Sequence, residues 1–175
     1  MRRRAAVMAG PGPGSVPLVR FAVPGECVAV LPAGGGDTPL GGRGVGVLLR
    51  RGNLFGHLTV GQNVVLAGRL AARRAPEKAP ENATDLLALT GLAGRGDAYP
   101  ATLSALEVAR AGVAVVLAGS PEVVFADEPA GELDRLAALE LMDLLCTVAR
   151  RGTAVVVATR DPDIAAAAHR IVRVA

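Results

Sequence analysis

The stretch VLPAGGGDTPLGG, residues 30–42, joins a short apolar run to a cluster of glycines, the rhythm of a turn that wraps backbone N–H groups around phosphate. Gly34, Gly35 and Gly36 supply backbone without side chains, and Thr38 supplies a hydroxyl of the kind that binds magnesium beside a phosphate. Asp37 opposes that chemistry, because it stands where a positive charge should reach the phosphate oxygens. A like charge about 4 Å away costs about 4 kcal/mol at an effective dielectric of 20, or about three decades of affinity. Lys78, the only lysine, falls in a loop between two expected helices and does not easily substitute. The residues that follow, PLGGRGVG, hold too many glycines for a helix whose N-terminal dipole would attract an anion. On charge alone, the stretch is a glycine-rich turn joining two strands.

Two further groups invite chemistry. Asp127 and Glu128 close the apolar run EVVFA, where an acidic pair ahead of a helix also satisfies free N–H groups. Ser104 and Glu107 have the spacing of a helix-capping box. His57 and His169 have no carboxylate or cysteine at ligand spacing and read as ordinary residues. Asn82 opens an N-A-T acceptor that matters only in a secreted protein.

The elements that must position these groups follow from periodicity. ECVAVL, VGVLL, EVVFA, TAVVVAT and IVRVA are short apolar, β-branched runs that predict buried strands. Thr59 caps a helix through VGQNVVLAGRLAARR, and a second helix in NATDLLALTGL stops at Gly91 and Gly94. Ser104 opens a third in SALEVARAGVAVVLAG. Leu133, Leu136, Ala137, Glu140, Leu141, Leu144, Leu145 and Val148 mark a fourth, which Gly152 follows. Asp161 and Pro162 cap a short last helix. Strands alternating with helices predict an α/β fold with a parallel sheet flanked by helices.

Composition narrows the class. The 175 residues are 51% hydrophobic and 20% charged, which excludes a disordered chain. They fit one domain over 1–175, with a loose lead over 1–21 and a helical region over 50–118. Only 2% are aromatic, too few for a base-stacking platform, and the arginines behind the net charge of +3 are scattered, so no nucleic acid partner is expected. Cys27 and Cys146 lie far apart in sequence and read as buried apolar thiols in a reducing compartment, with no disulfide implied. The longest apolar run, AGVAVVLAGSPEVVFA, contains Pro121 and Glu122 and falls short of the roughly 20 residues that span a bilayer.

Four separated stretches resemble one family. GECVAVLPAGGGDTPL is similar to the strand and Walker A loop of ABC transporter ATP-binding subunits, and VGVLLRRGNLFGHLTVGQNVVL resembles the Q-loop and following helix of their lipoprotein- and macrolide-exporting branch. DAYPATLSALEVAR sits where that branch carries its LSGGQ signature, and SPEVVFADEPAGELD resembles Walker B with the D-loop. The region GTAVVVATRDPDIAAAAHRIVRV fits over the switch-histidine segment. The resemblance implies a P-loop NTPase-like sheet with an inserted helical subdomain. It also implies ATP and Mg2+ as cofactors, a membrane permease as partner, and a homodimer or a heterodimer with another ATP-binding subunit. It places the chain in the cytoplasm, at most peripheral to the inner face of the membrane.

By the same resemblance, Gly34, Gly35, Gly36 and Thr38 bind the nucleotide, Thr38 and Asp127 hold magnesium, Glu128 activates water, and Ser104 faces the partner's γ-phosphate. The departures weaken that machinery. Asp37 replaces the lysine, Leu31 the first glycine, and Ala105 and Leu106 the signature glycines, with Glu107 adding negative charge there. Arg50 occupies the Q-loop glutamine position and Arg160 the switch-histidine position, where an arginine stays protonated and cannot take a proton; such an arginine reads as a solvated surface residue, with stabilisation of phosphate charge as the alternative. The N-terminal region bearing the adenine-stacking aromatic, and a long stretch before the Q-loop, are missing or replaced. The expectation is an ATP-binding subunit with weak nucleotide binding and little hydrolysis. The alternative is a non-enzymatic module that docks on a permease, or on an intact partner subunit, through NLFGHLTVGQNV.

Overall fold

A computed structural model describes residues 23–32, 44–76 and 81–174. The lead over 1–21, the glycine loop from 33 to 43 with Gly34, Gly35, Gly36, Asp37 and Thr38, and Lys78 lie outside the described residues. Five strands form one sheet: β1 (Cys27–Pro32), β2 (Val45–Leu48), β3 (Val123–Asp127), β4 (Ala154–Ala158) and β5 (Arg170–Val174). Their order is β2-β3-β4-β1-β5 and every pairing is parallel. The central strands are covered on both faces, which is why VVFA and AVVVA are unbroken apolar runs rather than alternating ones.

The order decides where a ligand belongs. From β2 the chain steps inward through β3 to β4, then passes over β1 to place β5 on the far side. The strand after β1 in sequence thus lies on one side of the β1–β4 pair and the strand after β4 on the other, and the carboxyl ends of such neighbours are where open α/β sheets bind ligands. Registers of Val30 with Ala158 and Asp127 with Ala158 bring the ends of β1, β4 and β3 side by side.

Helices α1 (Val60–Arg74), α2 (Ala83–Leu89) and α3 (Ala105–Leu117) intervene between β2 and β3; α4 (Arg135–Arg150) and α5 (Pro162–Ala165) flank β4. Their starts follow the expected caps. Thr59 Oγ1 accepts the Gln62 N–H at 3.2 Å while the Gln62 amide oxygen accepts the Thr59 N–H at 2.9 Å. Ser104 and Glu107 exchange the same two bonds at α3, at 3.2 and 2.8 Å. Asp161 accepts from the N–H groups of Asp163 and Ile164, with Pro162 in the first turn. Asn82 caps α2 through the Thr84 N–H. The fourth helix begins two residues later than its apolar pattern suggests, because Asp134 accepts the Ala137 N–H at 2.9 Å and ends the loop there. A 3-10 turn over Pro100–Thr102 has no counterpart in the sequence reading.

The core lies mainly between the sheet and α1, α3 and α4, around Leu48, Val64, Leu86, Met142 and Leu145. Gly46 shows how closely β2 meets α3: a Cβ there would stand 2.5 Å from Val116 Cγ1.

Candidate functional site at the ends of β1, β3 and β4

Asp127 is the last residue of β3, half-buried, and its carboxylate accepts no hydrogen bond from a described residue. Glu128 follows with a left-handed φ of 45°, a conformation that costs a non-glycine residue about 1 kcal/mol or more. Three contacts hold it there. Its N–H donates to the Ala158 carbonyl at 2.9 Å, and its own carbonyl accepts the Gly131 N–H at 3.0 Å. Its carboxylate folds onto the residues after β4, accepting the Arg160 N–H at 3.0 Å and the Thr159 hydroxyl at 3.3 Å.

Thr159 is the centre of this arrangement, and the sequence reading took it only as the end of a strand. It is 3% exposed, its N–H donates to the Val30 carbonyl at 3.1 Å, and its hydroxyl also accepts the Asp161 N–H at 3.2 Å. One buried residue thus ties the end of β1, the Glu128 carboxylate and the cap of α5 together. A hydroxyl ending an otherwise apolar strand was the available signal.

Arg50 is exposed, as a surface arginine should be, and it is also held in place. It keeps about half its surface in water, yet Nη2 donates to the Gly131 carbonyl at 2.9 Å and Nε lies 3.4 Å from Glu132. Arg51 pairs with the same Glu132. The arginine in the Q-loop position therefore grips the turn after Glu128 through Gly131, where a Cβ would stand only 3.0 Å from Arg50 Nε. Arg160 has an exposed side chain and contributes its backbone N–H. A cleft of about 290 Å3 separates this turn from the start of α3, with Arg50, Glu132, Leu103 and Ala105 among its lining. Ser104 sits on that α3 side as a helix cap, with Glu107 held by its N–H and by Arg95.

Two further placements bear on function. Phe55 is 56% exposed on a loop whose backbone is clamped by Asn63, itself buried: the Asn63 side chain accepts the Phe55 N–H at 2.8 Å and donates to the carbonyls of Phe55 and Thr59. The ring tilts against His57 at a centroid separation of 5.9 Å. Cys27 and Cys146 are free, buried thiols as expected, and though far apart in sequence they belong to one core cluster. His169, read as ordinary, accepts the Cys27 N–H at Nδ1 at 3.0 Å.

A five-stranded parallel sheet flanked by helices, with a carboxylate pair at the end of the strand beside β4, has the architecture of a P-loop NTPase-like fold. Solved structures share it. A transporter described as of metal-chelate ABC type, in an inward-facing conformation, superposes with a TM-score of 0.68 at 20% identity over 86% of this chain and 68% of that one. The dimeric structure of a bacterial ABC transporter cassette gives 0.64 at 22% identity over 87% and 82%. In sequence, the macrolide export ATP-binding/permease protein MacB of Shigella flexneri is 37% identical over 133 residues, 74% of this chain and 20% of that protein. MacB of Escherichia coli strain K12 is 36% identical over the same shares. The chain spans about a fifth of the length of these relatives. No family model matches the chain. The chain thus shares the fold of ABC transporter cassettes and is similar in sequence to part of the ATP-binding/permease protein MacB. Among the described residues, no helix is long and apolar enough to cross a membrane.

Proposed function

We propose that this chain is a cassette with weakened nucleotide binding and little ATP hydrolysis, one cytoplasmic domain serving a membrane permease and pairing with itself or an intact ATP-binding subunit. The observation that carries the reading is the position of Glu128. A general base must have its carboxylate free to take a proton from water. Here both oxygens already accept hydrogen bonds from Thr159 and Arg160. Asp37 in the loop that follows β1 adds repulsion toward phosphate.

The cofactor fits in part. Asp127, at the crevice and with no hydrogen bond from a described residue, suits a magnesium ligand, with Thr38 as its partner and the backbone of Gly34, Gly35 and Gly36 around the phosphates. Bound magnesium would neutralise phosphate charge; Asp127 orients it, and Glu128 reaches a water only by leaving Thr159 and Arg160. Ser104 would face a partner subunit's nucleotide, but Leu106 and Glu107 beside it crowd that approach. Steady-state phosphate release by the purified chain tests the reading: a rate indistinguishable from background is expected for the wild type and for Asp37→Lys. A clear rate in Asp37→Lys that Glu128→Gln abolishes would show an intact catalytic frame.

Phe55 favours the second reading, a docking module that needs no turnover. A large apolar ring held in solvent by a buried asparagine is an anchor rather than a loose loop residue. Capture of the permease by wild type with and without ATP separates the two: docking independent of nucleotide supports the module.

A further inference from the structure

The two faces of the sheet are built differently. Alternation along the strands puts Cys27, Val124, Ala126, Val155 and Val157 on one face, and every described helix contributes to the core cluster to which they belong. The opposite face carries Val30, Phe125, Val156 and Ala158, with Val45 and Val172 packed at its margins. The registers of Val30 with Ala158 and Val172, and of Phe125 with Val156, set these side chains on one side. Among the described residues this second cluster draws on strands alone. Val30 and Val156 are nevertheless 0% exposed and Phe125 1%. A phenylalanine on a bare sheet face stays in water, and these side chains are sealed within a single chain, so their cover comes from this chain beyond the described residues.

Composition and local geometry select the cover. Residues 77–80 join α1 to α2, both of which belong to the helix-covered face. Residues 33–43 hold five glycines and one large apolar side chain, Leu40. The lead instead brings Val16, Leu18, Val19 and Phe21 in a run that ends at Val23. The Val23 carbonyl accepts the Glu26 N–H at 3.0 Å, with Pro24 second in the turn and Gly25 third at a φ of 84°. That is a type II turn, which reverses the chain immediately before β1. The preceding residues are therefore sent back along β1, whose two edges are already taken by β4 and β5. Helices α4 and α5 pack over β1 on the helix-covered face. Among the described residues, the second face is the one side of β1 left open.

We propose that residues 16–22 dock across this second face, with Phe21 packed on the cluster of Val30, Phe125 and Val156. An extended stretch of that length reaches about 23 Å, enough to follow the six residues of β1 from end to end. The lead is then a part of the fold and not a loose tail, and its apolar run is the internal partner of a face that would otherwise be a patch open to aggregation. None of this depends on the nucleotide reading.

The test is nuclear Overhauser contact measurement on the full chain with labelled methyls and aromatic rings. Phe21 is one of three phenylalanines, so Phe21→Ala and Phe55→Ala assign its ring signals. Contacts are expected from the Phe21 ring to methyls of Val30, Val156 or Val172. Phe21→Ala should lower the melting temperature on the order of 10 °C and raise the fluorescence of a hydrophobic dye, whereas Leu40→Ala should do much less. If Phe21→Ala does not fold, the contacts in the wild type decide. A Phe21 ring without contacts to that face, contacts from Leu40 in its place, or contacts present only between differently labelled chains, which would make the occupant a second copy, would overturn the proposal. So would a Phe21→Ala variant that melts with the wild type.

Discussion

The Glu128 carboxylate accepts the Arg160 backbone N–H at 3.0 Å, so the residue aligned with a water-activating base is the clasp between β3 and the loop after β4. Its left-handed backbone and its bond to Thr159 belong to the same clasp. Glu128→Ala should therefore lower stability by about 1–3 kcal/mol in urea denaturation, the usual cost of stranding hydrogen-bonding groups. Glu128→Gly, which relieves the positive φ, should lose less than Glu128→Ala. Equal stability of Glu128→Ala and wild type would remove the clasp.

Asn63 is 3% exposed and serves four backbone groups of the loop that presents Phe55. Asn63→Leu should cost about 2–3 kcal/mol by leaving a buried N–H and carbonyls without partners. Phe55→Ala, at an exposed site, should change stability by less than about 0.5 kcal/mol while sharply reducing capture of the permease. Unchanged capture by Phe55→Ala would place the docking surface elsewhere.

The strands, the caps at Thr59, Ser104 and Asp161, and the stops at Gly91, Gly94 and Gly152 were legible because local chemistry decides them: apolar runs, side-chain oxygens at free N–H groups, and glycines where φ is positive. Asp127 and Glu128 were legible as a pair at a strand end. What was not legible depends on partners remote in sequence. Arg50 meets Gly131, Thr159 meets Glu128, and Cys27 and Cys146 enter one core cluster only because the strand order places their elements together. Periodicity within a segment carries no record of that order.

Glu107 accepts the Ser104 N–H and lies beside Arg95, which holds its carboxyl below the usual carboxylate value of 4.5. A depressed folded value means that its contribution to stability is present above the unfolded value and is lost as pH falls through the lower folded one. Glu107→Gln should flatten that part of the acid unfolding profile, measured by circular dichroism between neutral pH and the acid limb. A profile identical to wild type would show that the carboxylate adds nothing to the cap.

Arg50→Ala should reduce stability by no more than about 1 kcal/mol, since the pair is half in solvent. It should also loosen the Gly131 turn, read as faster amide exchange at Gly131 with little change in β4. Exchange unaltered at Gly131 would mean that the turn holds itself.

The central claim is that the cassette binds nucleotide weakly, and calorimetric titration of the full chain with Mg-ATP at neutral pH tests it most directly. Asp37 beside the phosphates, with no helix dipole expected to offset it, predicts a dissociation constant no tighter than about millimolar. A micromolar constant would contradict the account and return the chain to the working ATPases.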